Sequence, residues 1–531
     1  MDAAAPVSPI TKKDWLIAAL SGFILFLGLL SDLKAPGITW DEGQVQFGVA
    51  KKQAEWIRSL GVLDAPFSQE TIDRYWYTKS DHPSPPRTLA ALSFLALNGR
   101  VDEIIALRLP SAVIFSILLG SIYLFLRLFL PISASLAGAI SLALTPRVFG
   151  HAHLFSLDLP VMAWWFWAAA AGFLVYHGKL KPFWFGIAYA LAFCTKLHAV
   201  FLPGPLLAWA GLMLIGHRRN RDYWMRAVRA AAWAILFLPI FYIGLQPWLW
   251  HDTFARIVSR FFHYAAKTPI PVYYLGTIYG QSNPWHYPFV MVLFTVPAAI
   301  LLLMLAGLGS PFDWKRNTPG ERSISWLLGP KGIYPFLIFH FIAPLLIIQL
   351  AKAYDGCRLF LPCFPFAACL AGLGFNQIEK AISRRLNKKI IQIVLFLLLI
   401  IPSIAALAKI RPYYLAYYNE IAGGVNGAWK RGMETTFWCD ALTRDFLDEV
   451  NRIVPEGKTV KPASMSFEVY EYYRQRGWAL PPISDPADYF LLQSRQGMWR
   501  RDETRLFFHE KPLAKVEIDG VQLFGLYKAP D

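Results

Sequence analysis

Residues 15–31, WLIAALSGFILFLGLLS, form a run without charged residues, and residues 39–42, a little further on, read TWDE. An apolar run of about 17 residues is long enough to cross the hydrocarbon core of a bilayer as a helix. Asp41 and Glu42 therefore follow the point at which the chain leaves the membrane. A carboxylate pair at that place predicts chemistry at the membrane surface rather than simple anchoring.

The composition indicates a membrane protein over most of the chain. Of the 531 residues, 55% are hydrophobic and 15% aromatic, and the mean hydropathy is +0.37. Apolar runs of spanning length recur about eleven times. We place them at residues 15–31, 109–127, 132–149, 160–176, 182–198, 199–216, 228–246, 287–308, 333–350, 359–376 and 390–409. The sequence thus predicts an α-helical polytopic membrane protein with about 11 transmembrane helices.

Basic residues give the chain a formal net charge of +16. They cluster in the predicted cytoplasmic loops, which include Lys12-Lys13, Arg218-Arg219 and Arg384-Arg385. This positive-inside pattern predicts a cytoplasmic N-terminus, and an odd number of spans then places the C-terminus outside. The N-terminal run lacks an A-x-A-like cleavage site, so we interpret it as a retained helix. We expect an integral multi-pass protein of the plasma (inner) membrane, with membrane lipids and no nucleic acid as partners.

The first predicted outer segment, residues 32–108, is longer than a connection requires, and long ordered loops often carry sites. Thr39 and Glu42 have the spacing of a capping box. Residues 47–60 place apolar and charged side chains on opposite faces, which predicts a helix lying along the membrane. Residues 89–97 form an apolar run too short to span. Two surface helices are therefore expected to frame a polar floor.

The alternative for Asp41 and Glu42 is a helix N-terminus, where the helix dipole alone stabilises acidic residues. Their surroundings favour a site instead, because Trp40 adjoins them and His82 and Arg87 return to the same surface. We take Asp41 and Glu42 as catalytic candidates, and His82 and Arg87 as candidates for substrate binding.

The second outer segment precedes the fourth span and contains His151, His153 and Asp158. Asp158 begins an apolar helix, and an ionisable group at membrane depth is a functional candidate. The alternative is an N-cap before Pro160. Two histidines at i and i+2 diverge on a helix, which favours interfacial polar residues over a metal site. Asp158 is our third catalytic candidate.

The third outer element is Tyr354-Asp355-Gly356-Cys357-Arg358. The guanidinium of Arg358 has a fork of donors that suits a phosphate group, although Asp355 can pair with it instead. Lys196, at the outer end of the fifth span, adds a cation on the same side. Tyr354, Asp355, Arg358 and Lys196 are therefore candidates for binding substrate.

The cysteines do not predict a metal centre. Cys194, Cys357, Cys363, Cys369 and Cys439 are scattered without C-x-x-C or Cys/His ligand spacing. No cofactor is expected, and a divalent metal is possible but unsupported. Two of these cysteines fall on the predicted outer side, so they either pair as a disulfide or remain unpaired.

We divide the chain into a transmembrane part, residues 1–411, and an outer domain, residues 412–531. The segment 411–420 predicts an aromatic belt at the outer membrane surface. Further on, residues 442–453 carry a helical stripe and residues 489–492 read as a buried strand. Asp519-Gly520 between two apolar runs is a strong hairpin signal. We expect a small α/β domain in which Trp438 and the tyrosines form core and interface rather than sugar-stacking platforms.

Taken in order, these motifs resemble the integral-membrane glycosyltransferases of the GT-C class, in particular the relatives of protein O-mannosyltransferases and of the aminoarabinose transferase acting on lipid A. The resemblance covers roughly residues 15–420, and its specificity comes from the order and topological placement of the motifs. The matching positions are Asp41-Glu42, His82-Pro83, Arg108-Leu109-Pro110-Ser111, Ser156-Leu157-Asp158, Thr195-Lys196 and Arg358-Leu359-Phe360-Leu361-Pro362.

The resemblance implies transfer of a sugar from a polyprenyl-phosphate donor to a lipid, glycan or protein acceptor at the non-cytoplasmic face. It implies that Asp41 acts as general base or acceptor orienter, and that His82, Arg87 and Arg358 hold the donor phosphate. One related pattern has a lysine before the proline pair, whereas this chain has His82-Pro83 with Arg87 downstream. A base and a cation clamp suffice for such a transfer if the anomeric centre inverts.

Two other functions compete with a transferase. A transporter or flippase of a lipid-linked sugar requires polar residues deep inside several spans and broken helices, whereas the polar residues of this chain gather at the outer ends. A polymerase or ligase of surface glycans shares the donor class but usually relies on arginine and histidine in one large outer loop.

Overall fold

The computed structural model describes residues 9–78, 82–216, 221–265, 269–309, 332–350 and 356–530. Its helices are α1 (Lys12–Asp32), α2 (Phe47–Ser59), α3 (Gln69–Trp76), α4 (Pro85–Leu97), α5 (Glu103–Arg127), α6 (Ile132–Ala143), α7 (Pro146–Ala152), α8 (Asp158–Tyr176), α9 (Pro182–Phe193), α10 (Pro203–Gly216), α11 (Arg221–Gly244), α12 (Thr253–Ala265), α13 (Tyr287–Thr295), α14 (Ala298–Leu308), α15 (Ile333–Ile347), α16 (Phe364–Ile382), α17 (Lys388–Ile410), α18 (Gly424–Lys430), α19 (Arg444–Ile453), α20 (Phe467–Gln475) and α21 (Arg501–His509). Its strands are β1 (Val272–Tyr274), β2 (Thr277–Tyr279), β3 (Val460–Ala463), β4 (Tyr489–Gln493), β5 (Ala514–Ile518) and β6 (Val521–Lys528).

The helical membrane class predicted from the sequence is confirmed. Among the described residues, seven helices are long and apolar enough to span a membrane, or eight if the bent pair α6 and α7 counts as one span. Three shorter apolar helices, α9, α14 and α15, accompany them. Every predicted apolar run coincides with one of these helices or with two consecutive ones. The total of eleven spans stays a prediction.

The bend between α6 and α7 carries part of the site. Their axes differ by 69°. Pro146 begins α7, and a residue that precedes proline is excluded from the helical region, so Thr145 is extended and ends α6. The short helix α7 consequently lies across the end of the bundle and buries Arg147 and His151 there.

A buried ion pair anchors the first outer segment. Both side chains, Glu42 and Arg108, have no exposed surface, and two Arg108 nitrogens, Nε and one terminal nitrogen, each lie 2.8 Å from a Glu42 oxygen. The Glu42 oxygens also accept the N–H of Thr39 at 2.8 Å and that of Phe155 at 2.7 Å. Arg108 additionally donates to the carbonyls of residues 33, 36 and 37. One carboxylate thus ties the outer segment to α5 and to the start of α8.

Asp41 and Glu42 face different surroundings although they are neighbours. They lie at the start of a π-helical turn, Glu42–Gln46, which continues into α2. Successive residues on a helical turn do not share a face, so one carboxylate points inward while the other stays at the rim. The predicted surface helices are present as α2 and α4.

The C-terminal part contains the predicted small α/β domain. Its sheet has the order β3-β4-β6-β5, with β3 and β4 parallel and the remaining pairs antiparallel. The hairpin predicted at Asp519-Gly520 joins β5 to β6, and the predicted helical stripe corresponds to α19. The sequence analysis did not predict β3, α20 or α21.

The outer segment and the C-terminal part pack as one body. The N–H of Gly37 donates to the Asp440 carbonyl at 2.8 Å, and the N–H of Trp40 donates to the Trp438 carbonyl at 2.9 Å. A single apolar core contains Phe47 of α2 together with residues of α19, α20 and β6. The core therefore continues across the predicted boundary at residue 411.

On the predicted outer side, one expectation changes and one open alternative is decided. The segment 411–420 does not form a surface belt, because Tyr414, Tyr417 and Tyr418 are at most 5% exposed and pack into the two main cores. Cys357 and Cys439 are buried and are not joined to each other by a disulfide: the first contacts the Thr295 hydroxyl and the second the Gln493 side-chain oxygen.

We predict that Glu42→Gln lowers the free energy of unfolding by about 3–5 kcal/mol, because Arg108 would keep its charge in a buried place without a counter-ion. Thermal unfolding of the purified protein in detergent, followed by tryptophan fluorescence, measures the effect. The matched control is Glu55→Gln, since Glu55 lies on α2 and is exposed. Equal midpoints for both variants would contradict the anchoring role.

Candidate functional site

The site is organised around a contact between Asp41 and Arg358, which are 317 residues apart in the chain. A terminal guanidinium nitrogen of Arg358 lies 3.3 Å from an Asp41 carboxylate oxygen. The Asp41 side chain is 34% exposed and the Arg358 side chain 13%. A carboxylate at the rim of the protein thus meets a largely buried cation.

The C-terminal part helps to hold Arg358. Arg358 begins a short 3-10 turn, Arg358–Cys363, which leads into α16. Its guanidinium carbon lies 4.3 Å from the centre of the Trp438 ring. Stacking on an aromatic face fixes the plane of a guanidinium and leaves its edge available for hydrogen bonds. Trp438 therefore acts as support for the cation.

A second charged pair is buried beside the first. Lys196, which precedes the 3-10 turn Leu197–Phe201, contacts the carboxylate of Asp158 at the start of α8. Both residues are at most 5% exposed. Arg358 and His151 are close enough to act electrostatically on Asp158. The structure thus brings together four of the predicted residues: Asp41, Asp158, Lys196 and Arg358.

Arg147 of α7 is a further cation of the site, and the sequence analysis did not select it. Its guanidinium lies between the rings of Tyr418, at 4.6 Å, and Phe437, at 5.2 Å, and its Nε donates to the Tyr417 carbonyl. One terminal nitrogen is buried and has no hydrogen-bond partner among the described residues. The sequence signal that could have identified Arg147 is its position, as a charged residue, within an apolar segment.

Arg147, His151, Arg358 and Trp438 line one small pocket. The space at its centre is about 10 Å³, close to what a single water molecule requires. One oxygen of a phosphate has the same size. Two guanidinium groups therefore border a space of about the size of one oxygen atom.

Other predicted residues support the outer segment from within. Arg87 has no exposed surface and donates to the Gln46 side chain at 2.7 Å and to the His82 carbonyl at 3.1 Å. Glu42 is fully engaged in the ion pair with Arg108. Tyr354 and Asp355 lie outside the described residues.

A metal centre finds no support in the described part of the chain, where no three His, Cys, Asp or Glu side chains come together. His151 lies 5.7 Å from the Trp438 ring, whereas His153 stacks on Tyr414 and approaches Asp32 at 4.0 Å. The two histidines therefore have different surroundings.

Asp440 is a buried carboxyl close to the site. It is 3% exposed. Burial raises the pKa of the Asp440 carboxyl from 3.8 to about 7, although the charges of Arg147 and Arg108 oppose this shift. The sequence analysis did not identify Asp440, because only its burial distinguishes it from a surface aspartate.

Comparisons with known proteins support the resemblance. Residues 81–244 match the model of the family described as dolichyl-phosphate-mannose-protein mannosyltransferase. The resemblance to the GT-C membrane glycosyltransferases is thereby confirmed over that part of the chain. A search of curated proteins found no match.

Solved structures are also similar. The apo crystal structure of ArnT from Cupriavidus metallidurans is 12% identical, with 98% of this chain and 99% of that chain covered and a TM-score of 0.49. The structure of the same protein bound to undecaprenyl phosphate is 13% identical, with 97% and 98% covered and a TM-score of 0.47. The apo oligosaccharyltransferase of Archaeoglobus fulgidus is 13% identical, with 89% of this chain and 60% of that chain covered and a TM-score of 0.49.

The raised pKa of Asp440 leads us to predict how the free energy of unfolding depends on pH. Between pH 4 and pH 7 the folded protein keeps a proton that the unfolded chain has lost, so the stability that this proton contributes is present below pH 4 and lost by about pH 7. The slope from this group is at most about 1.4 kcal/mol per pH unit. The variant Asp440→Asn should lack this dependence of stability on pH.

Unfolding midpoints of the wild type and the variant from pH 4 to pH 8 measure this difference. Asp445→Asn is the control, since Asp445 is exposed and lies in the same part of the chain. Parallel profiles for wild type and Asp440→Asn would refute the assignment.

Proposed function

We propose that this chain is a membrane glycosyltransferase that moves a sugar from a polyprenyl-phosphate donor to a hydroxyl acceptor. The observation that carries the proposal is the 3.3 Å contact between Asp41, at the rim, and Arg358, at a pocket lined by cations. A carboxylate that accepts a proton and cations that receive a phosphate are the two groups this transfer requires. The match of residues 81–244 to a family named for a polyprenyl-phosphate sugar donor supports the same donor class.

In the proposed reaction Asp41 accepts the proton of the acceptor hydroxyl, and the oxygen attacks the anomeric carbon of the donor sugar. The bond from that carbon to the phosphate oxygen breaks, and its electron pair leaves with the polyprenyl phosphate. The configuration at the anomeric carbon inverts, so no covalent intermediate with the protein forms. The products are the glycosylated acceptor and the polyprenyl phosphate.

Arg358 and Arg147 are the proposed ligands of the departing phosphate. A guanidinium carries five N–H donors, so Arg358 is able to hold Asp41 with one nitrogen and a phosphate oxygen with another. Arg147 lines the same pocket, and one of its terminal nitrogens has no hydrogen-bond partner among the described residues. Two cations there stabilise the negative charge that develops as the bond breaks.

The remaining candidates are proposed to position these groups. Asp158 holds Lys196 next to the cation pocket and partly balances its charge. Glu42 fixes the turn that carries Asp41, and Arg87 fixes the neighbouring loop through Gln46. His82 stays a candidate at the edge of the donor site.

We further propose that the site lies on the non-cytoplasmic side, with a cytoplasmic N-terminus, following the distribution of basic loops. Three ion pairs of the helical part lie at the ends of helices: Asp14–Arg127, Glu379–Lys388 and Asp158–Lys196. This arrangement favours transfer at one face over a polar path through the bundle.

We predict that Asp41→Asn abolishes sugar transfer while leaving the unfolding midpoint and the Kd for undecaprenyl phosphate nearly unchanged. The amide keeps the size of the side chain but cannot accept the proton. A transfer assay with purified protein and a polyprenyl-phosphate sugar measures the loss. Asp64→Asn, an exposed change in the same outer segment, should retain activity. Full activity of Asp41→Asn would remove this residue from the mechanism.

We predict that Arg358→Ala weakens binding of undecaprenyl phosphate roughly 10-fold to 150-fold, the loss expected for a charge-assisted hydrogen bond. Titration with the lipid in detergent, followed by tryptophan fluorescence, gives the Kd. Arg100→Ala is the control, because Arg100 is exposed and belongs to the same outer segment. An unchanged Kd would reassign Arg358 to a structural role.

A further inference from the structure

A large cavity lies between α8, α9, α10 and α11, away from the cation pocket. Its volume is about 350 Å³, within the range of roughly 300–1,000 Å³ that is typical of ligand pockets. Its wall on α8 begins at Gly172 and ends at Tyr176. Since a helix rises about 1.5 Å per residue, this wall lies at least about 20 Å along α8 from Asp158. The cavity is therefore separate from the proposed transfer site.

Small side chains explain why space remains between these helices. Gly172 lets α8 approach α10 closely, because a Cβ there would lie 2.7 Å from a Leu206 methyl group. Beside this contact, α11 presents only methyl groups, which reach a short way into the space. Four alanines at the spacing i, i+3, i+4 and i+7 share one face of α11, and all four line the cavity: Ala227, Ala230, Ala231 and Ala234.

The cavity is apolar and opens toward the outside of the bundle. None of its sixteen described lining residues is charged. The inner wall is buried, with Val175 and Phe185 at most 6% exposed. At the opposite side Leu207 of α10 is 68% exposed and Ile235 of α11 75%. The opening thus lies between two helices that are apolar enough to span a membrane. Because hydrocarbon surrounds such helices, a lipid chain is the molecule that has access to it.

Cations gather at one end of the cavity. The guanidinium of Arg226, a partly exposed residue of α11, donates to the carbonyl of Tyr176, a lining residue, at 3.3 Å. A Cβ on Gly178 would lie 2.7 Å from a terminal nitrogen of Arg226, so the guanidinium packs against the turn after α8. The loop from α8 to α9 and the first nine residues of α11 contain five lysines and arginines but one acid, Asp222. The charge at this end therefore complements an anionic group.

Exposed tryptophans indicate that this end lies at the membrane surface. Trp184 of α9 is 49% exposed and Trp224 of α11 is 46% exposed. Tryptophan is enriched where the hydrocarbon core meets the head groups. Trp224 precedes Arg226 by two residues, so both lie at nearly the same depth. A lipid with its chain in the cavity would therefore have its head group beside Arg226.

We propose that this cavity binds one acyl chain of an anionic phospholipid, whose phosphate Arg226 holds at the membrane surface. A guanidinium has five N–H donors, so Arg226 is able to contact both the Tyr176 carbonyl and a phosphate oxygen. Basic pockets between membrane helices bind anionic head groups in this way. The chain supplies contacts that the apolar lining would lack if the space were empty. This second site does not depend on the proposed sugar transfer.

The polyprenyl chain of the donor is the alternative occupant. Its phosphate is proposed to lie at Arg358, near the start of α8, whereas Arg226 contacts the end of α8. One lipid phosphate cannot contact both arginines, because α8 separates them by roughly 27 Å. The position of Arg226 therefore favours a phospholipid of the leaflet at its own end of the bundle.

Two sets of variants test the chain and the head group separately. Ala231→Phe places a ring at the opening of the cavity, since Ala231 lines it and is exposed. The matched control is Ala232→Phe, because Ala232 is exposed on the same helix but is not a lining residue. Arg226→Gln removes the cation, and Arg226→Lys keeps it. The control for charge is Lys389→Gln, since Lys389 is exposed on α17.

The probes are dioleoyl phosphatidylglycerol, which is anionic, and dioleoyl phosphatidylcholine, which is zwitterionic. Native mass spectrometry of the delipidated full-length protein, titrated with each lipid in detergent, gives the Kd. The wild type should bind phosphatidylglycerol more tightly. Arg226→Gln should weaken binding of this lipid alone, by roughly 5-fold, the contribution of one basic residue near the membrane surface. Arg226→Lys should keep most of the preference, and Ala231→Phe should lose saturable binding of both lipids.

Several results would overturn the proposal. Equal Kd values of the wild type for the two lipids would remove the head-group contact. Phosphatidylglycerol bound as tightly by Ala231→Phe as by Ala232→Phe would exclude the cavity. Displacement of phosphatidylglycerol by an equal concentration of undecaprenyl phosphate would assign the cavity to the polyprenyl chain. If Ala231→Phe does not fold, the charge variants decide, because an equal Kd for Arg226→Gln and Lys389→Gln also refutes the site.

Discussion

The buried pair of Glu42 and Arg108 is the contact on which the site depends. A charge without exposed surface persists only when a counter-ion and hydrogen bonds replace its hydration, and here the carboxylate receives N–H bonds from Thr39 and Phe155 as well as the guanidinium. These bonds join the outer segment, α5 and the start of α8. They hold the turn that presents Asp41 at the rim, so a group with no access to substrate determines where the exposed carboxylate lies.

Two adjacent acids thus take different roles because of their surroundings. The Glu42 side chain has no exposed surface and is paired inside the protein, whereas the Asp41 side chain is one-third exposed and contacts Arg358. The arginines Arg108 and Arg147 also differ in how completely their surroundings pair them. Arg108 is enclosed by carbonyls and a carboxylate, while Arg147 contacts two aromatic rings and has one nitrogen without a hydrogen-bond partner among the described residues. A buried cation with an incomplete set of partners is costly, and such a cost is typical of a binding site.

The C-terminal part belongs to the site as much as the helices do. Trp438 supports Arg358, Phe437 covers Arg147, and the backbone from Trp438 to Asp440 pairs with the chain around Asp41. The pocket lined by Arg147 and Arg358 is thus bordered by residues of the helical part and by Phe437 and Trp438 of the C-terminal part.

The sequence by itself determined the features that depend on short-range pattern. Run lengths predicted the membrane helices, amphipathic spacing predicted α2, and Asp519-Gly520 predicted the hairpin between β5 and β6, because hydrophobic period and turn chemistry act within a few residues. It also singled out Asp41, Asp158, Lys196 and Arg358 as candidates by residue type and position.

Tertiary structure alone decided which of these residues meet. Asp41 and Arg358 are 317 residues apart, and a contact between distant residues leaves no periodic trace in the chain. The inward direction of Glu42, the burial of Tyr417 and Tyr418, and the open nitrogen of Arg147 follow from packing between elements. A site is defined by which side chains are buried and by which hydrogen-bond and ion-pair partners they have. Both are properties of the folded chain.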